Sequence, residues 1–300
     1  FMCRSCRFKK CVEFGMTFDV SPAETVNIER PIDEPSTSTA VPIVPSPQAI
    51  RESILDRINH EYRESADQRR VKELAFAKEV NLIKTNHPSQ EYFISNVRHN
   101  YESLRILVTE SMPLIRSVYS NFDSLSLDVK VALSKCFIKF SVVESYYLTQ
   151  RDWRDTTYFV VSLITCFDLN NSSEWVTKGD NIQREEDLKQ FLRQYATEYT
   201  MFLMSIRKSE SISERELQAM IVLSFLDLDA ADSIPDGIHE EAEKIRAQVF
   251  DELAIHYRDD LKVTDYAGKI GRLVSIYHTM SEASTVLAEE LRMYSTVFGV

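Results

Sequence analysis

The fold is decided by residues 97–122, VRHNYESLRILVTESMPLIRSVYSNF, whose apolar side chains recur with the period of a helix. These apolar positions are Val97, Tyr101, Leu104, Val108, Met112, Ile115, Tyr119 and Phe122. Steps of three and four residues place all of them on one face of a long helix. Pro113 lies inside the run and is expected to kink this helix, because proline has no amide hydrogen to donate.

The helical period continues on both sides of this segment. Further helices are predicted over about 47–66, 67–84, 128–149, 188–206, 213–228, 238–253, 266–280 and 286–298. Ser213 and Glu216 form a capping-box pattern at the start of one of them. The exception is 156–177, where β-branched and aromatic residues precede the turn-forming Asn170-Asn171-Ser172, which predicts a short β-hairpin. The fold class is therefore all-α with one short hairpin.

The composition of the 300 residues argues against an enzyme and against a membrane protein. Only six residues are glycine, and no phosphate-binding glycine loop, HExxH or GxSxG motif occurs. No apolar run approaches the roughly 20 residues that a membrane helix requires. Five cysteines, an odd number, and the lack of a secretory signal favour an intracellular protein. The net charge of −11 argues against nucleic-acid binding by the main body.

Two N-terminal segments differ from the helical body. Residues 1–16 are basic, with four Lys or Arg residues against one Glu. Six of the nine prolines then lie between Pro22 and Pro47, and no apolar period survives there. Residues 17–46 are therefore predicted to be a disordered hinge, since such a segment buries too little apolar surface to offset the entropy of ordering. The predicted domains are 1–16, the hinge 17–46 and a body over 47–300.

The N-terminal segment also carries a metal-binding pattern. Cys3 and Cys6 have the two-residue spacing that brings two thiolates onto one zinc ion. A redox motif shares this spacing but is expected next to a βαβ unit, and no strand is predicted nearby. A short basic amphipathic helix follows over 7–14 and ends at Gly15.

The string CRSCRFKKCVEFGM, residues 3–16, closely resembles the end of the zinc-finger DNA-binding domain of nuclear hormone receptors. The resemblance implies that Cys3 and Cys6 are two of the four ligands of a zinc ion and that Cys11 is a buried non-ligand. Four basic side chains would contact DNA phosphates: Arg4, Arg7, Lys9 and Lys10. Two thiolates do not complete a tetrahedral site, so zinc and DNA binding are expected only with the complete zinc-finger domain.

The body resembles the ligand-binding domain of the same family, in the style of the divergent nematode receptors. Residues 122–140 are similar to the signature that joins the third and fourth helices, although Val129 and Lys130 depart from it. Residues 213–237 resemble the passage around the eighth helix, and residues 269–274 the start of the tenth, which serves dimerisation. The resemblance implies a three-layer helical sandwich over 47–300.

Two sites are expected from this resemblance. Candidates for a pocket that binds a small lipophilic ligand are Met112, Ile115, Tyr119, Phe140, Glu144 and Tyr147, with Phe202 and Ile206 as further possibilities. Ordinary core packing is the alternative interpretation of the apolar members. Basic candidates for a groove that receives a coactivator or corepressor helix are Arg116, Lys130 and Lys135.

The resemblance implies a ligand-regulated, sequence-specific transcription factor of the nucleus that works as a homodimer or heterodimer. One alternative is a ligand-independent (orphan) receptor domain that acts through dimerisation and coregulator binding. The other is an unrelated helical interaction scaffold that carries a chance pair of cysteines.

Overall fold

A computed structural model describes residues 53–87, 90–153, 157–168, 211–228 and 234–298, together with residues 170, 190 and 197, and side chains as far as residue 292. The N-terminal segment 1–16 and the predicted hinge 17–46 lie outside the described residues. So does the helix predicted over 188–206, including Phe202 and Ile206, apart from residues 190 and 197.

Helices make up most of the described chain. The helices whose bounds the structure gives are α1 (Ile54–Glu79), α2 (Val97–Glu110), α3 (Met112–Val118), α4 (Leu127–Ser134), α5 (Cys136–Asp152), α6 (Glu214–Leu226), α7 (Asp236–Ile255) and α8 (Tyr266–Phe298). A 3-10 turn covers Phe122–Ser124, and a π-helical turn covers His256–Asp260. None of the described helices is both long and apolar enough to cross a membrane.

Where the structure describes the chain, the predicted helical periods are confirmed, but several helix boundaries were wrong. Pro113 does not kink one long helix: it lies in the first turn of α3, where its missing amide hydrogen costs no helical bond, and α2 ends before it. The helix predicted over 128–149 is likewise two helices, α4 and α5. Conversely, α1 and α8 are each continuous where two helices were predicted, and α1 begins after the N-cap Ser53 instead of near Pro47. The capping box of Ser213 and Glu216 is confirmed.

A three-stranded sheet contains the predicted hairpin. Strands β2 (Tyr158–Val160) and β3 (Thr165–Asp168) are antiparallel, and β1 (Phe93–Ile94) pairs with β3 in parallel. The turn of this hairpin covers residues 161–164, where the amides of Val161 and Ser162 donate to the carbonyl of Thr165 at 2.9 and 3.3 Å. The turn predicted at residues 170–172 lies, apart from Asn170, outside the described residues. Strand β1 is too short to show a period and was not predicted.

The middle of the body is formed by α5 and α6. Every residue from 140 to 150 in α5 is buried, since α2, α6, α8 and β2 all contact this helix. α6 lies beside α5 and contacts α1, α7 and α8. Other elements therefore surround the α5–α6 pair, as expected for the middle layer of the predicted three-layer sandwich.

A carboxylate of α7 holds the start of α1. Glu252 accepts hydrogen bonds from the amides of Ile54 and Leu55 at 2.9 and 3.2 Å and from the hydroxyl of Ser53 at 2.7 Å. The first amides of a helix have no intrahelical acceptor, and a negative charge there also interacts favourably with the helix dipole. The contact joins residues 198 positions apart.

We therefore expect Glu252→Ala to lower the free energy of unfolding by about 1–3 kcal/mol, because it removes charge-assisted hydrogen bonds from partly buried amides. Urea denaturation of the full chain measures this loss. Glu240→Ala, at an exposed position on the same helix, is the control and should change the free energy by less than about 0.5 kcal/mol. Equal effects of the two substitutions would contradict the capping role.

Candidate functional site

The six pocket candidates lie in the interior, on α5 and on or next to α3. Ile115, Tyr119, Phe140, Glu144 and Tyr147 are buried, and Met112 is partly buried against the same core. The hydroxyl of Tyr119 donates to the backbone carbonyl of Phe225 in α6 at 3.1 Å. The ring of Phe140 lies 6.0 Å from that of Phe225 and 6.5 Å from that of Phe137. The structure thus brings Tyr119 and Phe140 together around Phe225.

Glu144 forms a buried ion pair with Arg69 of α1. The two terminal guanidinium nitrogens of Arg69 donate to the two carboxylate oxygens of Glu144 at 2.8 and 2.6 Å. The side chains are 0% and 4% exposed. Burial alone would lower the pKa of Arg69, but the charge and hydrogen bonds of Glu144 raise it above its ordinary value. Glu144 is therefore fully engaged by the protein itself.

The sequence analysis missed Arg69, because only the structure shows that its side of α1 is buried. The buried side of α1 includes Ser65, Arg69, Glu73 and Ala77, each one helical turn after the last. Two charged residues on a buried stripe require partners from other elements, because an isolated charge is costly to desolvate. The face of Phe140 adds to this environment, with its ring centroid 5.5 Å from the guanidinium carbon of Arg69.

Two small cavities lie in the described part of the body. One, of about 30 Å³, is lined by Ala132, Lys135, Cys136, Lys139, Asp227, Leu228 and Ile234. The other, of about 10 Å³, lies between α1, α2, α5 and the turn 161–164. Both are of the size that holds one or a few water molecules. Neither would accommodate a lipophilic metabolite without rearrangement of its lining.

The candidate groove residues lie on an exposed surface of α3 and α4. On α4, Leu127 and Val131 are 75% and 52% exposed and stand one helical turn apart. Asp123 contacts two of the basic candidates, Arg116 and Lys130. Arg116 pairs with its carboxylate at 3.0 Å, and Lys130 donates to its backbone carbonyl at 2.7 Å.

The third basic candidate, Lys135, does not join this arrangement. It follows the last residue of α4 and lines the 30 Å³ cavity. We call Leu127, Val131, Arg116 and Lys130 the α3–α4 surface. Because exposed aliphatic side chains at i and i+4 flanked by basic groups present an apolar strip with charged ends, this surface is suited to an amphipathic helix.

Metal-binding capacity among the described residues is limited to the surface of α1. His60, Glu61 and Glu64 hold one potential ligand atom each within 4.8 Å of one another. Exposed acidic groups commonly lie this close without a metal, so no metal is assigned to them. The predicted zinc ligands Cys3 and Cys6 and the basic residues Arg4, Arg7, Lys9 and Lys10 lie outside the described residues.

Comparisons with known proteins agree with this geometry. The family model for the ligand-binding domain of nuclear hormone receptors matches residues 86–297. The chain is also similar to nuclear hormone receptor family member nhr-53 of Caenorhabditis elegans, with 22% identity over 289 residues. That alignment covers 94% of this chain and 72% of the relative. This protein therefore belongs to the nuclear hormone receptor family, whose members are transcription factors and not enzymes.

Proposed function

We propose that this protein regulates transcription by receiving a coregulator helix on the α3–α4 surface. The observation that supports this proposal is the exposure of Leu127 and Val131 at helical spacing beside Arg116 and Lys130. Exposed aliphatic residues contribute nothing to the core, and an apolar strip of this kind is buried when an LxxLL helix lies along it. The basic groups would interact favourably with the carbonyl end of the bound helix.

We expect Leu127→Asp and Val131→Asp each to weaken binding of a labelled LxxLL peptide at least tenfold. An aspartate places a charge where an apolar side chain of the peptide would be buried, which costs more than about 1.4 kcal/mol, the equivalent of tenfold in affinity. Fluorescence polarisation with the full chain measures the dissociation constant.

The matched control for this experiment is Val71→Asp on α1, which introduces the same charge at a valine that is 69% exposed. It should leave peptide binding unchanged. Equal weakening by the control, or unchanged binding by both α4 variants, would contradict the assignment of the α3–α4 surface.

A more specific proposal is that a small lipophilic ligand regulates this function. The pocket would be lined by Met112, Ile115, Tyr119, Phe140, Glu144 and Tyr147, five of which are buried around α5. Binding to the folded state raises the free energy of unfolding by RT ln(1 + [L]/Kd), and the melting temperature rises with it. A melting temperature that keeps rising with the logarithm of the concentration of a fatty acid or steroid would therefore support this proposal.

The ligand-independent domain is a second candidate because aromatic side chains already occupy the space beside α5. Phe137 and Phe225 lie with ring centroids 5.1 Å apart in an edge-to-face arrangement, and Phe140 contacts both. Such a core would show no thermal shift with any apolar metabolite while it still binds the coregulator peptide. The same two assays therefore distinguish the two candidates.

The N-terminal segment is proposed to be the end of a zinc-finger DNA-binding domain. Its support is the sequence pattern alone, with Cys3 and Cys6 as zinc ligands and a set of phosphate-contacting residues, Arg4, Arg7, Lys9 and Lys10. Zinc would be the cofactor, the nucleus the place of action, and a second receptor chain the dimer partner. The division into 1–16, 17–46 and 47–300 remains part of this proposal.

A further inference from the structure

The 10 Å³ cavity is bordered by an unusual concentration of buried charge. Arg69 and Glu73 stand one turn apart on α1, and Glu144 faces them from α5. The other lining residues are Ser103, Leu104, Leu107, Ser141, Val161 and Ser162. One buried guanidinium therefore meets two buried carboxyl groups beside this cavity.

Two polar atoms of this cluster have no hydrogen-bond partner within the described part of the chain. They are Nε of Arg69 and Oε2 of Glu73, both buried. Arg69 uses its two terminal nitrogens for Glu144, so its Nε–H is left over. An unpaired buried donor or acceptor is destabilising, and a polar cavity that is large enough for a water molecule normally holds one that satisfies such groups.

The surroundings of Glu73 also favour the uncharged form of its carboxyl. Burial raises its pKa to about 7, although the charge of Arg69 and a hydrogen bond with Ser162 both act to lower it. The charge of Glu144 adds to the increase. A protonated Glu73 leaves Arg69 and Glu144 as a balanced pair.

None of the other groups that face Glu73 supplies enough positive charge to keep its carboxyl group ionised. On its own helix, Arg70 lowers the pKa of Glu73 only as the smallest contribution. From α2, His99 is buried, and burial lowers its pKa to about 4, so this imidazole is neutral near physiological pH. The turn 161–164 contributes the hydroxyl of Ser162, which carries no charge.

We propose that one water molecule occupies this cavity between Nε of Arg69 and Oε2 of Glu73, and that the Glu73 carboxyl binds an exchangeable proton beside it. The water accepts a hydrogen bond from Nε–H of Arg69 and forms a second hydrogen bond with the carboxyl group of Glu73. The site joins α1, α2, α5 and the turn 161–164 through a neutral acid. It binds a proton and a water, and it is separate from the α3–α4 surface.

The proton is tested by the pH dependence of unfolding. Because the carboxyl of Glu73 holds its proton more tightly in the folded than in the unfolded chain, its contribution to stability is fully present below pH 4.5 and is lost as the pH rises towards 7. Relative to Glu73→Gln, which has the shape of the protonated acid, the folding equilibrium constant of the wild type should fall about tenfold per pH unit in this window. It should then level off above pH 7.

Glu79→Gln, at an exposed carboxylate on the same helix, is the control and should show the same pH profile as the wild type. Parallel profiles of wild type and Glu73→Gln would overturn the proton site. A crystal structure of the full chain tests the water. An ordered water between Arg69 Nε and Glu73 Oε2 supports the proposal, and either an empty cavity or a direct bond between these atoms overturns it.

Discussion

Replacing Arg69 by methionine is expected to lower the free energy of unfolding by about 3–5 kcal/mol. The substitution keeps most of the side-chain volume but leaves Glu144 buried without its cation and Glu73 beside it. Removal of one member of a buried ion pair leaves an uncompensated charge, and the loss is larger than the net stabilisation that the intact pair supplies. Urea denaturation of the full chain, monitored by circular dichroism, measures the change.

Two further variants separate the charge effect from packing. Glu144→Leu should cost less than Arg69→Met, because Glu73 remains close enough to balance the charge of Arg69. The double variant Arg69→Met with Glu144→Leu removes both charges and should recover most of the loss, since well-packed apolar side chains replace buried ion pairs at little or no cost. A double variant as unstable as Arg69→Met alone would show that packing, and not charge, explains the loss.

Phe225→Ala should have an effect of similar size, about 3–5 kcal/mol. The ring of Phe225 is fully buried in α6 between Phe137 and Phe140 of α5, so its removal leaves a void at the centre of the middle layer. The cost combines two losses: the favourable free energy of transferring the ring out of water, and the van der Waals contacts around the void. The urea midpoint should fall with little change in its slope.

The matched comparison for Phe225→Ala is Leu127→Ala, which also removes a large apolar side chain but from an exposed position on α4. It should change the unfolding free energy by less than about 0.5 kcal/mol while it weakens binding of the LxxLL peptide. If Phe225→Ala were as mild as Leu127→Ala, the aromatic packing of α5 and α6 would not stabilise the core.

The sequence predicted the helices well because burial on one face imposes a period that is visible in the residues themselves. The stripe from Ile54 through Ile58 to Tyr62 in α1 and the capping box at Ser213 are of this kind. Helix ends were less predictable. A proline such as Pro113 cannot lie in the interior of a regular helix. The chain can respond with a kink in one helix or with the start of a second helix, and packing decides between these two outcomes.

Contacts between elements left weaker signals in the sequence. Nothing in the surroundings of Arg69 or Glu144 indicates that these two residues, 75 positions apart, form a pair. Strand β1 has two residues and owes its existence to pairing with β3. The turn 161–164 of the hairpin was not predicted, because it contains no glycine, proline or asparagine and is fixed instead by hydrogen bonds to Thr165.

The dependence of α1 on Glu252 has a consequence for synthesis on the ribosome. The amides of Ile54 and Leu55 emerge nearly two hundred residues before the carboxylate that they bind. At a translation rate of about 5–20 residues per second, the start of α1 waits on the order of ten seconds or longer for its cap. During that interval the apolar side of the nascent helix has neither α6 nor α7 to cover it, so we expect chaperones to engage this segment first.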